Sequence, residues 1–92
     1  MKYVTINQQE NGGTFCMGIF SNSKTAIGDV MDHIWDFQTG YQDEGDTFEI
    51  VGPYTLPDGG GTGFQVTFKA KSWKDSCKEY YYILDVEDEF CQ

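Results

Sequence analysis

Residues 21–41 read SNSKTAIGDVMDHIWDFQTGY, and this stretch decides the fold. When successive residues are turned by about 100° and Ile27 is set at zero, the apolar side chains gather within roughly 80° of it. They are Val30, Met31, Ile34, Phe37 and Tyr41, with Ala26 and Trp35 at the two edges of the arc. The acids Asp29, Asp32 and Asp36 fall on the opposite side. The spacing predicts an amphipathic helix with a core face and an acidic face.

The ends of this helix carry recognisable signals. Ser21, Asn22 and Ser23 each offer a side-chain oxygen that can accept a hydrogen bond from the first free amides of the helix. Gly40 is the expected stop. Gly28, inside the helix, costs about 1 kcal/mol relative to alanine and would permit a strand or a partner to approach closely.

Strand patterns flank the helix on both sides. Residues 3–7 and 14–20 alternate around a turn at 10–13, and residues 47–51 resume the alternation after an acidic loop. Pro53 cannot donate to a ladder, so the third strand bends there or lies at an edge, with 54–56 as its continuation. Two further strands are predicted at 62–70 and 80–87, joined to the third by a glycine-rich turn. The order ββαβββ predicts one α+β domain over 1–92, with an antiparallel sheet of four to five strands and the helix packed on one face.

The strand pattern also sorts the side chains by face. Phe64, Val66 and Phe68 are expected to point into the core. Because one helix covers only one face of a sheet, the other face is expected to be open. Rings whose burial the pattern leaves undecided are interpreted either as a binding surface or homodimer interface, or as ordinary packing and scattered surface aromatics. They are Trp35, Tyr54, Trp73 and Tyr81.

Charge is the strongest compositional signal. Fifteen acids against six basic residues give a net charge of −9, and the chain contains no arginine. A chain with this charge and without arginine is repelled by nucleic acid, so direct nucleic-acid binding is excluded. The expected partners are basic or neutral proteins. The alternative interpretation is that the acidic face only keeps the protein in solution.

Catalytic and metal signatures are weak. His33 lies one helical turn from Asp29 and Asp36, but a third ligand is not evident. The run 59–63 lacks the Gly-Lys-Ser/Thr of a phosphate loop, and the acidic loop lacks the alternating ligands of a calcium loop. The three cysteines, Cys16, Cys77 and Cys91, are expected to be free thiols in a reducing cytoplasm. No catalytic residue, metal or cofactor is predicted, nor a membrane span, which would need about 20 apolar residues.

In size, acidic excess and β-rich pattern the chain resembles small proteins of phages and mobile elements, among them the acidic inhibitors that include many anti-CRISPR proteins. The residues that carry this resemblance are Asp29, Asp32, Asp36, Asp43, Glu44, Asp46 and Glu49. The resemblance implies a non-enzymatic protein that blocks a nucleic-acid-binding enzyme by imitating its ligand.

Three hypotheses for function follow. In the first, the chain is an acidic protein-binding module that contacts a basic surface, such as that of a nucleic-acid enzyme. Its predicted contact residues are those seven acids together with Trp35 and Trp73. In the second, it is a homodimeric bacterial domain that associates through the open sheet face. In the third, it is an enzyme or metal protein centred on His33.

Overall fold

The computed structural model describes residues 1–10, 12–57 and 59–86. Its elements are β1 (Lys2–Gln9), β2 (Thr14–Phe20), α1 (Ser23–Gln38), a 3-10 turn (Thr39–Tyr41), β3 (Thr47–Thr55), β4 (Gly61–Lys69) and β5 (Cys77–Val86). The predicted ββαβββ order and α+β class are confirmed. Asn11, Asp58 and the acids and cysteine after Val86 lie outside the described residues, so the predictions for them stay open.

All five strands form one antiparallel sheet in the order β2-β1-β5-β4-β3. Alternation assigns side chains to faces but not strands to neighbours, so this order was not predictable from the sequence. β3 lies at an edge, and its pairing with β4 is irregular between Val51 and Tyr54. A Cβ at Gly52, where φ is +129°, would lie 2.7 Å from the carbonyl oxygen of Gly63. Only glycine fits that position, and Pro53 follows at a place where no ladder donor is needed.

The helix begins where the sequence placed its cap. Asn22 Oδ1 accepts hydrogen bonds from the amides of Lys24, at 2.8 Å, and Thr25, at 3.3 Å. α1 ends at Gln38, before Gly40, because the chain tightens into the 3-10 turn at Thr39. The interpretation that a strand approaches Gly28 closely is wrong, since a Cβ there would meet nothing within 4 Å, while close approach by a partner stays a prediction.

The core lies between α1 and one face of the sheet. Its buried apolar side chains are Ala26, Val30, Ile34, Phe64, Val66, Phe68, Tyr81 and Ile83. The expectation that Tyr81 supplies an exposed ring is wrong, because its side chain is only 1% exposed. On β5 the odd-numbered residues point inward, so Tyr80 and Tyr82 are the ones that reach the opposite face.

Aromatic rings close the core at the C-terminal end of α1. Phe68 lies at the centre of this cluster, with ring centroids 4.6 Å from Phe37 and 5.2 Å from Tyr41. Trp73 contacts the rings of Tyr41 and Phe68 edge-on, at 5.8 and 5.9 Å. Trp73 therefore packs on the core end as well as facing solvent.

Candidate functional site

The acidic face of α1 is presented as the spacing predicts. Asp32 and Asp36 are exposed and Asp29 is half-buried. Residues three and four apart on a helix lie about 5–6 Å apart at Cβ, so the three carboxylates form one row. The last turn of α1 contains no basic residue. Asp36, which lies in that turn, adds its charge to the negative end of the helix dipole.

An exposed apolar patch lies beside this row. Trp35 is 66% exposed, and Met31 and Ile50 are also exposed. With Ile34 and Phe64 these residues line a shallow depression of about 30 Å³ between α1 and β3. We call Met31, Trp35 and Ile50 the Trp35 patch. Trp35 stands three residues after Asp32 and next to Asp36, so an apolar anchor and two carboxylates share one rigid helix.

The acidic loop after the helix divides into two parts. Asp43 and Glu44 are exposed. Asp46 is occupied within the fold, because its Oδ1 accepts from the Lys71 amide at 2.8 Å and its Oδ2 from the Asp43 amide at 3.2 Å. Asp46 thus holds the loop against the segment after β4, while its two neighbours remain available to a partner.

The remaining predicted contact residues lie apart. Glu49 is exposed on β3, between Phe48 and Ile50, which point to the helix side of the sheet. Its side chain therefore projects from the opposite face. Six of the seven predicted acids therefore lie on one helix face and in the adjoining loop, whereas Glu49 lies on β3 and Trp73 packs on Tyr41 and Phe68.

The sheet face away from the helix carries apolar side chains on β1, β2, β3 and β5. It carries Val4, Ile6, Ile19, Tyr54, Tyr80, Tyr82 and Leu84, and we call it the uncovered face. Tyr80 and Tyr82 stack with ring centroids 6.4 Å apart. Burial, followed by the neighbouring Tyr54 and Tyr80, raises the pKa of Tyr82. A cavity of about 410 Å³ on this face is lined by Leu56, Pro57, Tyr82 and Leu84.

A second feature is a buried carboxylate that the sequence interpretation missed. Glu79 points to the helix side of β5 and is only 7% exposed. Burial raises the pKa of Glu79. Hydrogen bonds from the side chains of Asn7 and Gln9, and then the charge of the nearby His33, act to lower it. Its Oε2 has no hydrogen-bond partner among the described residues. A strand that begins at Cys77 rather than at Tyr80 contains Glu79. Alternation then places Glu79 on the same inward side as Tyr81 and Ile83, and this is the sequence signal for its burial.

His33 lies near two groups of β5, the ring of Tyr81 and the carboxyl of Glu79. His33 is exposed, and its ring centroid lies 6.3 Å from that of Tyr81. Within the described residues no set of three or more His, Cys, Asp or Glu side chains is arranged to hold a metal ion. Cys16 and Cys77 are free thiols, as expected, while Cys91 lies outside the described residues.

No family model, curated protein or solved structure matches the chain. Over the same described residues, no helix has the length and apolar character needed to cross a bilayer.

Proposed function

We propose that this chain is a small, non-enzymatic protein-binding module whose helix α1 contacts a basic protein surface. The observation that carries the proposal is the exposed Trp35 patch beside Asp32 and Asp36 on one rigid element. Tryptophan is one of the residues enriched at the energetic centre of interfaces, where charged groups around it set orientation and association rate. The Trp35 patch supplies the apolar centre of such an interface, and the row of acids supplies the charged groups around it.

The placement of the acids supports a role in binding over one in stability. Asp36 lies in the last turn of α1, where a negative charge opposes the helix dipole by about 0.3–1 kcal/mol. Asp43 and Glu44 follow just beyond the same end. Charges that only kept the protein in solution would be equally effective elsewhere on the surface, without this unfavourable interaction.

The partner class that we propose is a nucleic-acid-binding enzyme, whose basic channel the acids of α1 would occupy. Carboxylates about 5–6 Å apart along a helix approach the spacing of successive phosphates along one strand. The net charge of −9 and the absence of arginine support imitation of nucleic acid and disfavour contact with it. The chain would then act as a stoichiometric inhibitor, in the manner of the acidic phage proteins that it resembles.

The test is affinity capture from a bacterial lysate with the wild-type chain and the triple variant Asp29→Asn, Asp32→Asn, Asp36→Asn. We expect the wild type to retain a nucleic-acid enzyme at low salt and to release most of it at high salt, because exposed charges are screened. A short duplex DNA added as competitor should displace the same protein. The triple variant should capture at least about tenfold less, consistent with losing several rim charges.

Two single variants distinguish a specific contribution of Trp35 to binding from the effect of removing any exposed aromatic ring. Trp35→Ala should weaken capture by about 2 kcal/mol or more, which is typical of a central interface tryptophan. Phe15→Ala is the matched control, since Phe15 is comparably exposed on β2 and lies outside the proposed contact. Capture that is unchanged by the triple variant, or unaffected by competing DNA, contradicts the proposal.

A second candidate function is homodimerisation through the uncovered face. The observation that favours it is the apolar strip of tyrosine, leucine and β-branched side chains there, which no helix of the described chain covers. Exposed apolar patches of this kind commonly mark interaction sites.

Light scattering after size exclusion tests this candidate over a range of concentrations. We expect a dimer that Ile19→Lys dissociates, because a lysine at this 57% exposed position places charge in the interface. Phe15→Lys is the control: Phe15 is 53% exposed on the same strand but opposes Asn7 on the helix side. A monomeric mass at every concentration rules the dimer out.

A further inference from the structure

One row of residues across the uncovered face leads from an exposed side chain to a cavity. Ile19 on β2 lies opposite Val4 on β1. Val4 in turn lies opposite Leu84 on β5, and Leu84 lies opposite Gly61 on β4. The Leu56 amide extends the row, because it donates to the carbonyl oxygen of Gly61 at 3.0 Å. Since neighbouring strands are about 4.8 Å apart, Ile19 and the cavity beyond Leu84 are about 10–14 Å apart on one line across the strands.

The two ends of this row are complementary in shape and polarity. The Ile19 side chain is 57% exposed, although isoleucine is among the residues most often buried in folded proteins. The cavity of about 410 Å³ at the other end is lined by Leu56, Pro57, Tyr82 and Leu84, so its wall is largely apolar. It admits an isoleucine side chain. A protruding apolar side chain and an apolar cavity therefore lie on the same face of one chain.

A single symmetry operation brings the two ends together. A two-fold axis that runs parallel to the strands, between β1 and β5, turns a second copy face to face with the first and keeps the row in line. Each Ile19 then meets the cavity of the other copy, in an isologous contact that closes as a dimer. The strands of the two sheets run aligned, which is one of the usual ways in which sheets stack about 10 Å apart. Val4 and Leu84 lie at the centre of the contact.

The uncovered face is large enough for a stable interface. Five strands about 4.8 Å apart, each with about seven residues in the contact, span roughly 24 Å by 24 Å. That area is about 570 Å² for each copy and about 1,100 Å² for the pair. A biological interface needs about 1,000 Å² in total, so the face meets this requirement without a contribution from other surfaces.

The charge distribution also favours this approach of two copies. The charged residues at the described strand positions of the uncovered face are Lys2, Lys69, Lys78 and Glu49. This face is therefore weakly positive, although the whole chain has a net charge of −9. Because the acids of α1 lie on the other side of each sheet, two copies in contact through the uncovered face keep their acidic surfaces well separated.

We propose that two copies of this chain stack their uncovered faces about this axis, with each Ile19 side chain seated in the cavity of the other copy. The proposal rests on the second candidate function, because it specifies how the two copies associate. α1 lies on the outer side of each sheet in this dimer, so the acidic row and the Trp35 patch of both copies remain available. The dimer thus presents two α1 surfaces, on opposite sides of the assembly.

The test is disulfide trapping in a background in which Cys16, Cys77 and Cys91 are replaced by serine. Chains carrying Ile19→Cys and chains carrying Leu56→Cys, one of them with an affinity tag, are mixed in equal amounts and oxidised. We expect the mixed 19–56 cross-link to form at least about tenfold faster than the 19–19 cross-link. The two positions 19 of the dimer are about 10–14 Å apart, which exceeds the Cα separation of about 7 Å that a disulfide can bridge.

Phe15→Cys is the matched control for trapping. Phe15 is 53% exposed on the same strand as Ile19 but opposes Asn7 on the helix side of the sheet. Mixed with Leu56→Cys chains, it should cross-link no faster than the 19–19 pair. Equal rates for the Ile19→Cys and Phe15→Cys chains overturn the proposal.

A compensating pair of substitutions protects the test against misfolding of a single variant. Ile19→Ala should weaken the dimer at least about tenfold, because two apolar side chains leave the interface. Leu56→Trp should also weaken it, because the larger side chain fills the cavity. In the double variant the alanine leaves room for the tryptophan, so the dimer should be tighter than that of Leu56→Trp alone. Sedimentation equilibrium measures all three dissociation constants. Additive losses in the double variant contradict the proposed contact.

Failure of this proposal is distinguishable from failure of the proposed functions. If Ile19→Lys dissociates a dimer in which the 19–56 cross-link is not favoured, the dimer stands and this arrangement is wrong. A monomeric mass at every concentration overturns both, and leaves the role of α1 to the capture experiment. Masses that rise beyond the dimer also overturn the arrangement, because they indicate an open-ended contact. If the cross-link forms while the triple aspartate variant captures its partner unchanged, the dimer stands and the role of α1 is wrong.

Discussion

Two glycines show opposite reasons for lacking a side chain. A Cβ at Gly63 would lie 2.6 Å from the ring of Tyr54, which packs over Gly63 on the sheet face away from the helix. A Cβ at Gly28 would meet nothing within 4 Å. Gly63 is therefore required by packing, whereas Gly28 is a weak point in the helix.

This contrast gives a paired prediction. Gly63→Ala should destabilise the fold by about 1–3 kcal/mol, because the Tyr54 ring must move. Gly28→Ala should stabilise it by about 0.4–1 kcal/mol, because alanine restricts the unfolded chain at an unobstructed helix site. Urea denaturation of both variants checks the signs. A stabilised Gly63→Ala variant would mean that Tyr54 does not rest on Gly63.

Glu79 predicts a specific pH dependence. Burial raises its folded-state pKa above the ordinary 4.5, so the folded state holds this proton more tightly than the unfolded state. As pH rises from 4.5 through the folded-state pKa, the unfolded state has fewer bound protons and stability falls. The Glu79→Gln variant lacks this loss. We expect its stability relative to the wild type to increase across that window and to level off above it.

Denaturation of the Glu79→Gln variant and the wild type at several pH values measures this difference. Glu49→Gln, an exposed glutamate on β3, serves as the comparison for removing one surface charge. If the advantage of Glu79→Gln instead diminishes with rising pH, the buried carboxylate is stabilising and our account of its environment is wrong.

At the scale of elements, α1 is the part that the sequence predicted best, because its apolar and acidic residues keep a strict helical period. The buried stripe is narrower than predicted: Ala26, Val30 and Ile34 are buried, while Met31 and Trp35 lie exposed on its flank. Periodicity indicates which side of the helix is apolar, but the sheet beneath decides which part of that side is covered and how wide it is. Met31 and Trp35, which the sheet leaves uncovered, therefore belong to the Trp35 patch.

The N-cap provides the prediction at this scale. Asn22→Ala removes an acceptor used by two helix amides and should cost about 1 kcal/mol, within a range of about 0.5–2. Ser21→Ala, one residue earlier, should stay within about 0.5 kcal/mol of the wild type. Urea denaturation decides between them. Equal losses for the two variants would show that the cap is shared.

At the scale of the whole molecule, the sequence predicted the element order and the two layers but neither the strand neighbours nor the buried carboxylate. The pairing of β1 with β5 joins residues at least 70 positions apart, such as Gln8 with Tyr80. No local pattern encodes such a contact. Glu79 was missed because the polar segment before it concealed the true start of β5. Both gaps concern long-range packing, which local periodicity does not specify.

The irregularity at Gly52 and Pro53 in the edge strand has a consequence for behaviour at high concentration. Sheet edges invite strands from other chains, and the resulting stacks are the route to fibrils. Along β3 a visiting strand could form a regular ladder only over Thr47–Val51 before meeting an imino nitrogen that has no hydrogen to donate. The proposed inhibitor would have to accumulate to match its target, and this interrupted margin would hinder polymerisation along β3, one of the two edges of the sheet.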